Sequence, residues 1–211
     1  MPILLELFCG TKSVSKVFET AGWEVISVDI EKKFKPTICC SVLDIPLDKW
    51  KPGHFDYIHA SPPCCEYSIA HTGNARDLEK ADALAIHTVN LIRTLNPAYY
   101  TIENPQSGKL KDRIFMQGLS FSDVSYCKYG FPYRKNTRIW HNLFDWLPLS
   151  CKNDCNSRAL NSQGRMVHIT SAQKGPSKGT ANDVCYTSEQ LYRIPPKLVE
   201  SILQAILDAS F

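Results

Sequence analysis

The first 29 residues constrain the fold most tightly. Ile3–Leu7 is a short apolar run, and Phe8-Cys9-Gly10-Thr11-Lys12-Ser13 reads as a turn. Val14, Val17, Phe18 and Ala21 then recur at helical spacing. Gly22 stands where a helix favours a left-handed cap, and Glu24–Asp29 reads as a second strand ending in an acid. Strand, glycine-containing turn, helix, strand and acid form the plan of a nucleotide-type site. Turn amides at the helix start would face the ligand, and Asp29 would accept hydrogen bonds from ribose hydroxyls. The turn has one glycine where a dinucleotide fingerprint has three, and it lacks a phosphate-loop lysine pattern. An adenosyl cradle with no phosphate to hold fits it better than NAD or ATP.

Further strands and helices continue the α/β alternation. Thr37–Val42 is expected as a third strand with Cys39 and Cys40 packed inside it, and Asp44 follows as a second acid near the same crevice. Phe55–Ala60 is expected as a fourth strand, stopped by Ser61-Pro62-Pro63 because proline donates no ladder hydrogen bond. Cys64, Cys65 and Glu66 come next, just past a strand's carboxyl end, where open α/β sheets hold their ligands. Thr72–Asp77 offers capping chemistry for a helix marked by Leu78, Ala81, Ala85, Val89, Ile92 and Leu95, which Asn96-Pro97 ends. Ala98–Ile102 is a fifth strand with Glu103-Asn104-Pro105 at its tip, and a glutamate kept protonated there could donate to a ring nitrogen. Asp123–Cys127 is a further candidate strand. The turn from Lys128 to Trp140 interleaves basic and aromatic side chains, a pattern suited to nucleic acid. Residues 145–185 are polar and read as a mobile excursion rather than a second core. Leu198, Val199, Ile202, Leu203, Ile206 and Leu207 give the last helix, from Pro195-Pro196, its apolar face.

With 211 residues, 44% hydrophobic and 21% charged, the chain fits one globular domain of 1–211. Its N-terminus lacks a signal-peptide pattern and no window is apolar enough to span a membrane, which implies a cytoplasmic protein without a membrane partner. An odd count of nine scattered cysteines argues against a disulfide framework. The net charge of +3 is unevenly placed. Residues 109–138 hold seven Lys/Arg against two acids, and residues 151–180 hold five against Asp154 alone, which suits a polyanion. Arg134, Lys135, Arg165 and Lys174 are the candidate nucleic-acid contacts.

Taken in order, these signals resemble the cytosine-C5 DNA methyltransferase family, in the manner of its compact phage and large-virus members. Leu7-Phe8-Cys9-Gly10 resembles the first cofactor motif, Asp29-Ile30 the pair that holds ribose and adenine, and Asp44-Ile45 the next adenine-contacting pair. Pro63-Cys64-Cys65-Glu66-Tyr67-Ser68 resembles the Pro-Cys-x-x-Phe-Ser loop, which assigns the nucleophile to Cys64. Glu103-Asn104-Pro105 resembles Glu-Asn-Val, and Tyr129-Gly130-Phe131-Pro132 with Arg138-Ile139 resembles the motif ending in Arg-x-Arg. Thr187–Pro195 and the helix after it resemble the ninth and tenth motifs weakly.

The resemblance implies a Rossmann-like, doubly wound, mostly parallel sheet and S-adenosylmethionine as cofactor. It implies attack of Cys64 on cytosine C6, proton donation at N3 by Glu103, loop positioning by Asn104, and orientation of the glutamate or base by Arg138. Phe8, Cys9, Gly10, Thr11, Asp29, Ile30, Asp44, Ile45 and Pro62 would line the cofactor site. DNA is the implied partner, in the cytoplasm or, for a viral enzyme, the host cytoplasm or nucleus. Transfer RNA is the alternative substrate, and a catalytically silent nucleic-acid-binding module the alternative class.

Three departures stand out. Lys12 occupies the place of a glycine in the first motif. Asn136 stands at the first arginine of Arg-x-Arg, so Arg134 or Lys135 would have to substitute. A large target-recognition region is missing, and only residues 145–185 could replace it. Cys151, Cys155, His168 and Cys185 could form a zinc clip, but their irregular spacing favours free loop cysteines, and no metal is assigned.

Overall fold

A computed structural model of the chain describes residues 1–68, 75–173, 179–182 and 184–209. Seven strands share one sheet: β1 (Ile3–Leu7), β2 (Glu24–Asp29), β3 (Ile38–Cys39), β4 (Tyr57–Ala60), β5 (Tyr99–Pro105), β6 (Phe121–Ser125) and β7 (Asn136–His141). Their spatial order is β3-β2-β1-β4-β5-β7-β6. The first five are parallel, and β7 runs antiparallel to both its neighbours. The chain winds outward from β1 toward β3 and then restarts on the other side at β4. A crevice therefore opens at the carboxyl ends of β1 and β4, where ligands of such sheets bind.

Alternation within each strand builds a core on either face. On one face Leu4 and Tyr57 join Val14 and Phe18 of α1 (Ser13–Thr20) and Leu198, Val199, Ile202 and Ile206 of α4 (Pro196–Asp208). On the other, Leu5, Leu7, Ile58 and Ile102 meet Val89, Ile92 and Leu95 of α2 (Leu78–Leu95). At about 1.5–3 kcal/mol for each fully buried aliphatic side chain, the apolar stripe of α4 alone accounts for much of that helix's docking. No helix among the described residues is long and apolar enough to cross a membrane.

The punctuation works as expected at several ends. Gly22 (φ 83°) and Asn96 (φ 45°) take left-handed conformations after α1 and α2. Asp77 caps α2, its carboxylate accepting from Lys80 N at 3.0 Å, whereas Thr72–Asn74 of the expected capping stretch lie outside the described residues.

Three boundaries differ. The expected third strand, Thr37–Val42, shrinks to Ile38–Cys39 at the sheet edge, because Ser41 accepts from Leu43 N and starts a 3-10 turn over Val42–Asp44. Cys39 is exposed and Cys40 half-buried, so neither is a buried packing residue. The fifth strand runs on through Glu103-Asn104-Pro105, since β7 pairs along its whole tip. The expected strand Asp123–Cys127 lies two residues earlier, and Tyr126–Tyr129 is a 3-10 turn closed by Gly130 (φ 95°). The polar excursion contains an antiparallel hairpin, β8 (Arg158–Leu160) and β9 (Met166–His168). A short helix, α3 (Ser188–Tyr192), follows it behind a Thr187/Gln190 capping box.

Candidate active site

A cavity of about 500 Å³ occupies the crevice. The turn after β1 forms its floor with Phe8, Cys9, Gly10 and Thr11, and the tip of β2 adds Asp29 and Ile30. The loop after β4 brings Pro62, Pro63, Cys64 and Cys65, and β5 brings Glu103. The first turn is tightly wound: Phe8 (φ 58°), Gly10 (φ 46°) and Lys12 (φ 56°) are all left-handed. Asp29 locks it, accepting from Gly10 N at 2.9 Å and from Glu31 N at 2.8 Å through different oxygens. Each oxygen keeps a further lone pair for a ligand hydroxyl. Ile30 is 70% exposed beside the cavity, an apolar surface open to a ligand.

Cys64 sits on a backbone held from behind. Asn104 Nδ2 donates to Pro62 O at 2.9 Å, tying the proline pair to the tip of β5. Cys64 O accepts from Tyr67 N at 3.1 Å, and the Glu66 carboxylate accepts from Asp77 N at 2.9 Å. Burial, reinforced by the charge of Glu103, pushes the Cys64 thiol above its usual range, while Lys135 works in the opposite direction. Glu103 is itself buried, accepting from Tyr126 Oη at 3.0 Å, with Lys135 Nζ 3.9 Å from the same oxygen. Lys135 is steadied by Leu191 O at 3.2 Å and by the Tyr126 ring, 4.8 Å away.

Among the described residues, Lys135 is the cation that lines the cavity, the nearer to it of the two candidates for the missing arginine's place. Arg134 is exposed and donates to Asn136 Oδ1. Arg138 does not orient Glu103. It lies opposite Asn104 in the β5–β7 register, and directly opposed residues share a face, so it projects away from Glu103. Its guanidinium pairs with Asp123 at 2.8 and 2.9 Å and stacks on Phe121. Asp44 and Ile45 do not line the cavity either. The 3-10 turn sends Asp44 to solvent and Ile45 into the core, and Cys40, Ser41 and Val42 line the cavity instead. Arg165 is exposed at the β8–β9 turn, and Lys174 lies outside the described residues. Cys151, Cys155 and His168 do come together, joined by Cys127 rather than by the exposed Cys185.

Two buried polar residues under the site were not anticipated. Glu6 on β1 accepts from Ser15 N at 2.9 Å and from Ser15 Oγ, and burial raises its carboxyl to about 7. An acid inside the apolar run Ile3–Leu7 was the available signal. His59 on β4 bridges Thr101 Oγ1 (2.7 Å) and Ser61 Oγ (2.9 Å), and burial lowers it to about 3, so it stays neutral.

The class defined by this sheet and site is confirmed by sequence. Residues 3–113 match the family model described as C-5 cytosine-specific DNA methylase. A protein of Frog virus 3 (isolate Goorha), described as a probable DNA (cytosine-5)-methyltransferase, is 30% identical over 225 residues, covering 95% of this chain and 98% of that one. The type II methyltransferase M.XorII of Xanthomonas oryzae pv. oryzae is 28% identical over 120 residues, 49% of this chain and 28% of its own. Among solved structures, the Entamoeba histolytica methyltransferase EhMeth superimposes with a TM-score of 0.58 at 13% identity, covering 100% of this chain and 99% of that one. The chain belongs to the C-5 cytosine-specific DNA methylase family, and its sheet is the Rossmann-like methyltransferase fold expected from its sequence. The expected DNA cytosine-C5 methyltransferase activity class is borne out with it, and neither the transfer-RNA enzyme nor the silent module is favoured.

Proposed function

We propose that this chain, acting as one methyltransferase domain over residues 1–211, transfers a methyl group from S-adenosylmethionine to C5 of cytosine in DNA. One observation carries the reading: Cys64 and Glu103 line the same cavity as the Phe8–Thr11 turn and Asp29. The lining fits an adenosyl group. Asp29 has lone pairs to spare for ribose hydroxyls, Ile30 and Val42 offer apolar surface to a base, and Lys12 does not line the cavity. Bound there, S-adenosylmethionine would supply an electrophilic methyl group.

The chain's own residues prepare the base to accept it. Cytosine must leave the duplex to reach the cavity. Arg134, Arg165 and Lys174 would hold the phosphate backbone meanwhile. The Cys64 sulfur then bonds to C6, and the electron pair of the C5–C6 double bond makes C5 nucleophilic. Glu103 holds the proton at N3 that offsets the charge gathering on the ring. Because Tyr126 and Lys135 both lie on Oε1, its other oxygen is the one offered to the base. After methylation, loss of the C5 proton and expulsion of the Cys64 thiolate restore the ring. Thiolate is scarce in the free protein because burial disfavours it, so Lys135 supplies the local positive charge that makes attack accessible. A cytoplasmic or host-nuclear setting suits this substrate.

Covalent trapping tests the proposal. A duplex carrying 5-fluorocytosine blocks loss of the C5 substituent and should leave a denaturation-resistant protein–DNA adduct that requires S-adenosylmethionine. The adduct should vanish in Cys64→Ala and persist in Cys65→Ala. An adduct that survives Cys64→Ala would overturn the assignment.

A further inference from the structure

Away from the cavity, four potential metal ligands converge from three separate segments. Cys127 lies in the 3-10 turn after β6, Cys151 and Cys155 in the loop after β7, and His168 at the end of β9. Their donor atoms all lie within 4.8 Å of one another. Nε2 of His168 is 3.7 Å from Cys151 Sγ and 3.4 Å from Cys155 Sγ. A tetrahedral zinc with Zn–S near ~2.3 Å and Zn–N near ~2.05 Å requires S···N edges of about 3.6 Å, close to both values. Cys127 and Cys151 are buried and Cys155 and His168 half-buried, the enclosure of a structural site with no open coordination position.

The backbone around the group is fastened independently of any ion. Cys151 N donates to Ser125 Oγ at 3.0 Å, Ser125 N to Leu149 O at 3.0 Å, and Ser157 Oγ to Cys127 O at 3.5 Å. Lys128, next to Cys127, pairs with Asp154, next to Cys155, at 3.0 Å. That pair is neutral overall, and it pins the Cys127 turn to the loop that carries Cys151 and Cys155. Soft thiolates with one imidazole select zinc over the hard cations, and a three-cysteine set is one short of an iron–sulfur cluster's usual four.

We propose that Cys127, Cys151, Cys155 and His168 bind one structural zinc ion as thiolates and a neutral imidazole, releasing the thiol protons to solvent. The ion clips the β8–β9 hairpin to the turn that begins with Tyr126, the residue that donates to Glu103. The segment standing in for a target-recognition region would thereby be held in register with the active site.

The test uses the full chain, purified with reductant and without added chelator. Elemental analysis should find one zinc per chain in the wild type and in Cys185→Ser, and none in the Cys151→Ser/Cys155→Ser double variant. Should the double variant fail to fold, cobalt(II) titration of metal-free wild type decides. Binding should give the visible bands of tetrahedral cobalt and a thiolate charge-transfer band, at one ion per chain. Absence of both zinc and the cobalt spectrum overturns the proposal, as does a Cys151–Cys155 disulfide in the metal-free protein as isolated. Loss of zinc in Cys185→Ser would overturn the ligand set.

Discussion

Glu6 should make the protein less stable as pH rises through neutrality, and Glu6→Gln should remove that dependence. The carboxyl is 2% exposed, and its folded-state value is raised from 4.5 to about 7 by burial. A folded-state value above the unfolded one means that the folded chain holds the proton more tightly. The associated stability is complete below pH 4.5 and is lost as pH climbs through 7. The full difference is about 3 kcal/mol at 1.36 kcal/mol per pH unit, and about 2.5 kcal/mol of it falls between pH 5 and pH 8. Glutamine keeps an acceptor for Ser15 N and Ser15 Oγ but cannot ionise. Urea unfolding at a series of pH values, followed by tryptophan fluorescence, gives the stability of both proteins. Subtracting one from the other cancels every other titrating group, His59 included. The variant should gain on the wild type by about 2.5 kcal/mol from pH 5 to pH 8. A difference that stays flat across that range would refute the raised carboxyl and its cause.

Three more perturbations separate the roles assigned around the cavity. Lys135→Met should shift the pH profile of Cys64 alkylation, followed by peptide mass spectrometry, to higher pH and lower methylation at neutral pH by about tenfold or more, as expected for loss of a charge close to reacting groups. An unchanged alkylation profile would remove Lys135 from the site. Arg138→Ala should change turnover by less than about threefold while costing about 1 kcal/mol of stability, because its partner is the half-exposed Asp123; a large fall in turnover with stability intact would return Arg138 to the reaction. Lys12→Gly should raise stability by about 1 kcal/mol, since a left-handed backbone strains any side chain but glycine. Lower stability measured by urea unfolding would show that the lysine's own contacts outweigh that strain.

The strands β1 and β2, the helices α2 and α4, and the floor of the cavity were legible because each rests on a local pattern. Apolar periodicity, Gly22, Asn96 and the Pro62-Pro63 stop all act through the backbone of a few neighbouring residues. What the sequence concealed depends on register and on long-range pairing. Arg138 reads as a site residue by its motif, yet its position opposite Asn104 sends it to the wrong face for Glu103. Asp44 misses the cavity because one serine cap three residues earlier ends β3 and turns the chain. Cys127 joins Cys151, Cys155 and His168 only once β6 and β7 are paired, so no spacing rule could have preferred it to Cys185.

Nucleoside mass spectrometry tests the central assignment most directly. Duplex DNA and transfer RNA are each incubated with S-adenosylmethionine and either wild type or Cys64→Ala, then digested and analysed. 5-Methylcytosine should appear in the DNA with wild type, be absent from the transfer RNA, and disappear with the variant. No 5-methylcytosine in either substrate, together with no cofactor binding by calorimetry, would contradict the enzyme assignment and leave a nucleic-acid-binding fold without its chemistry.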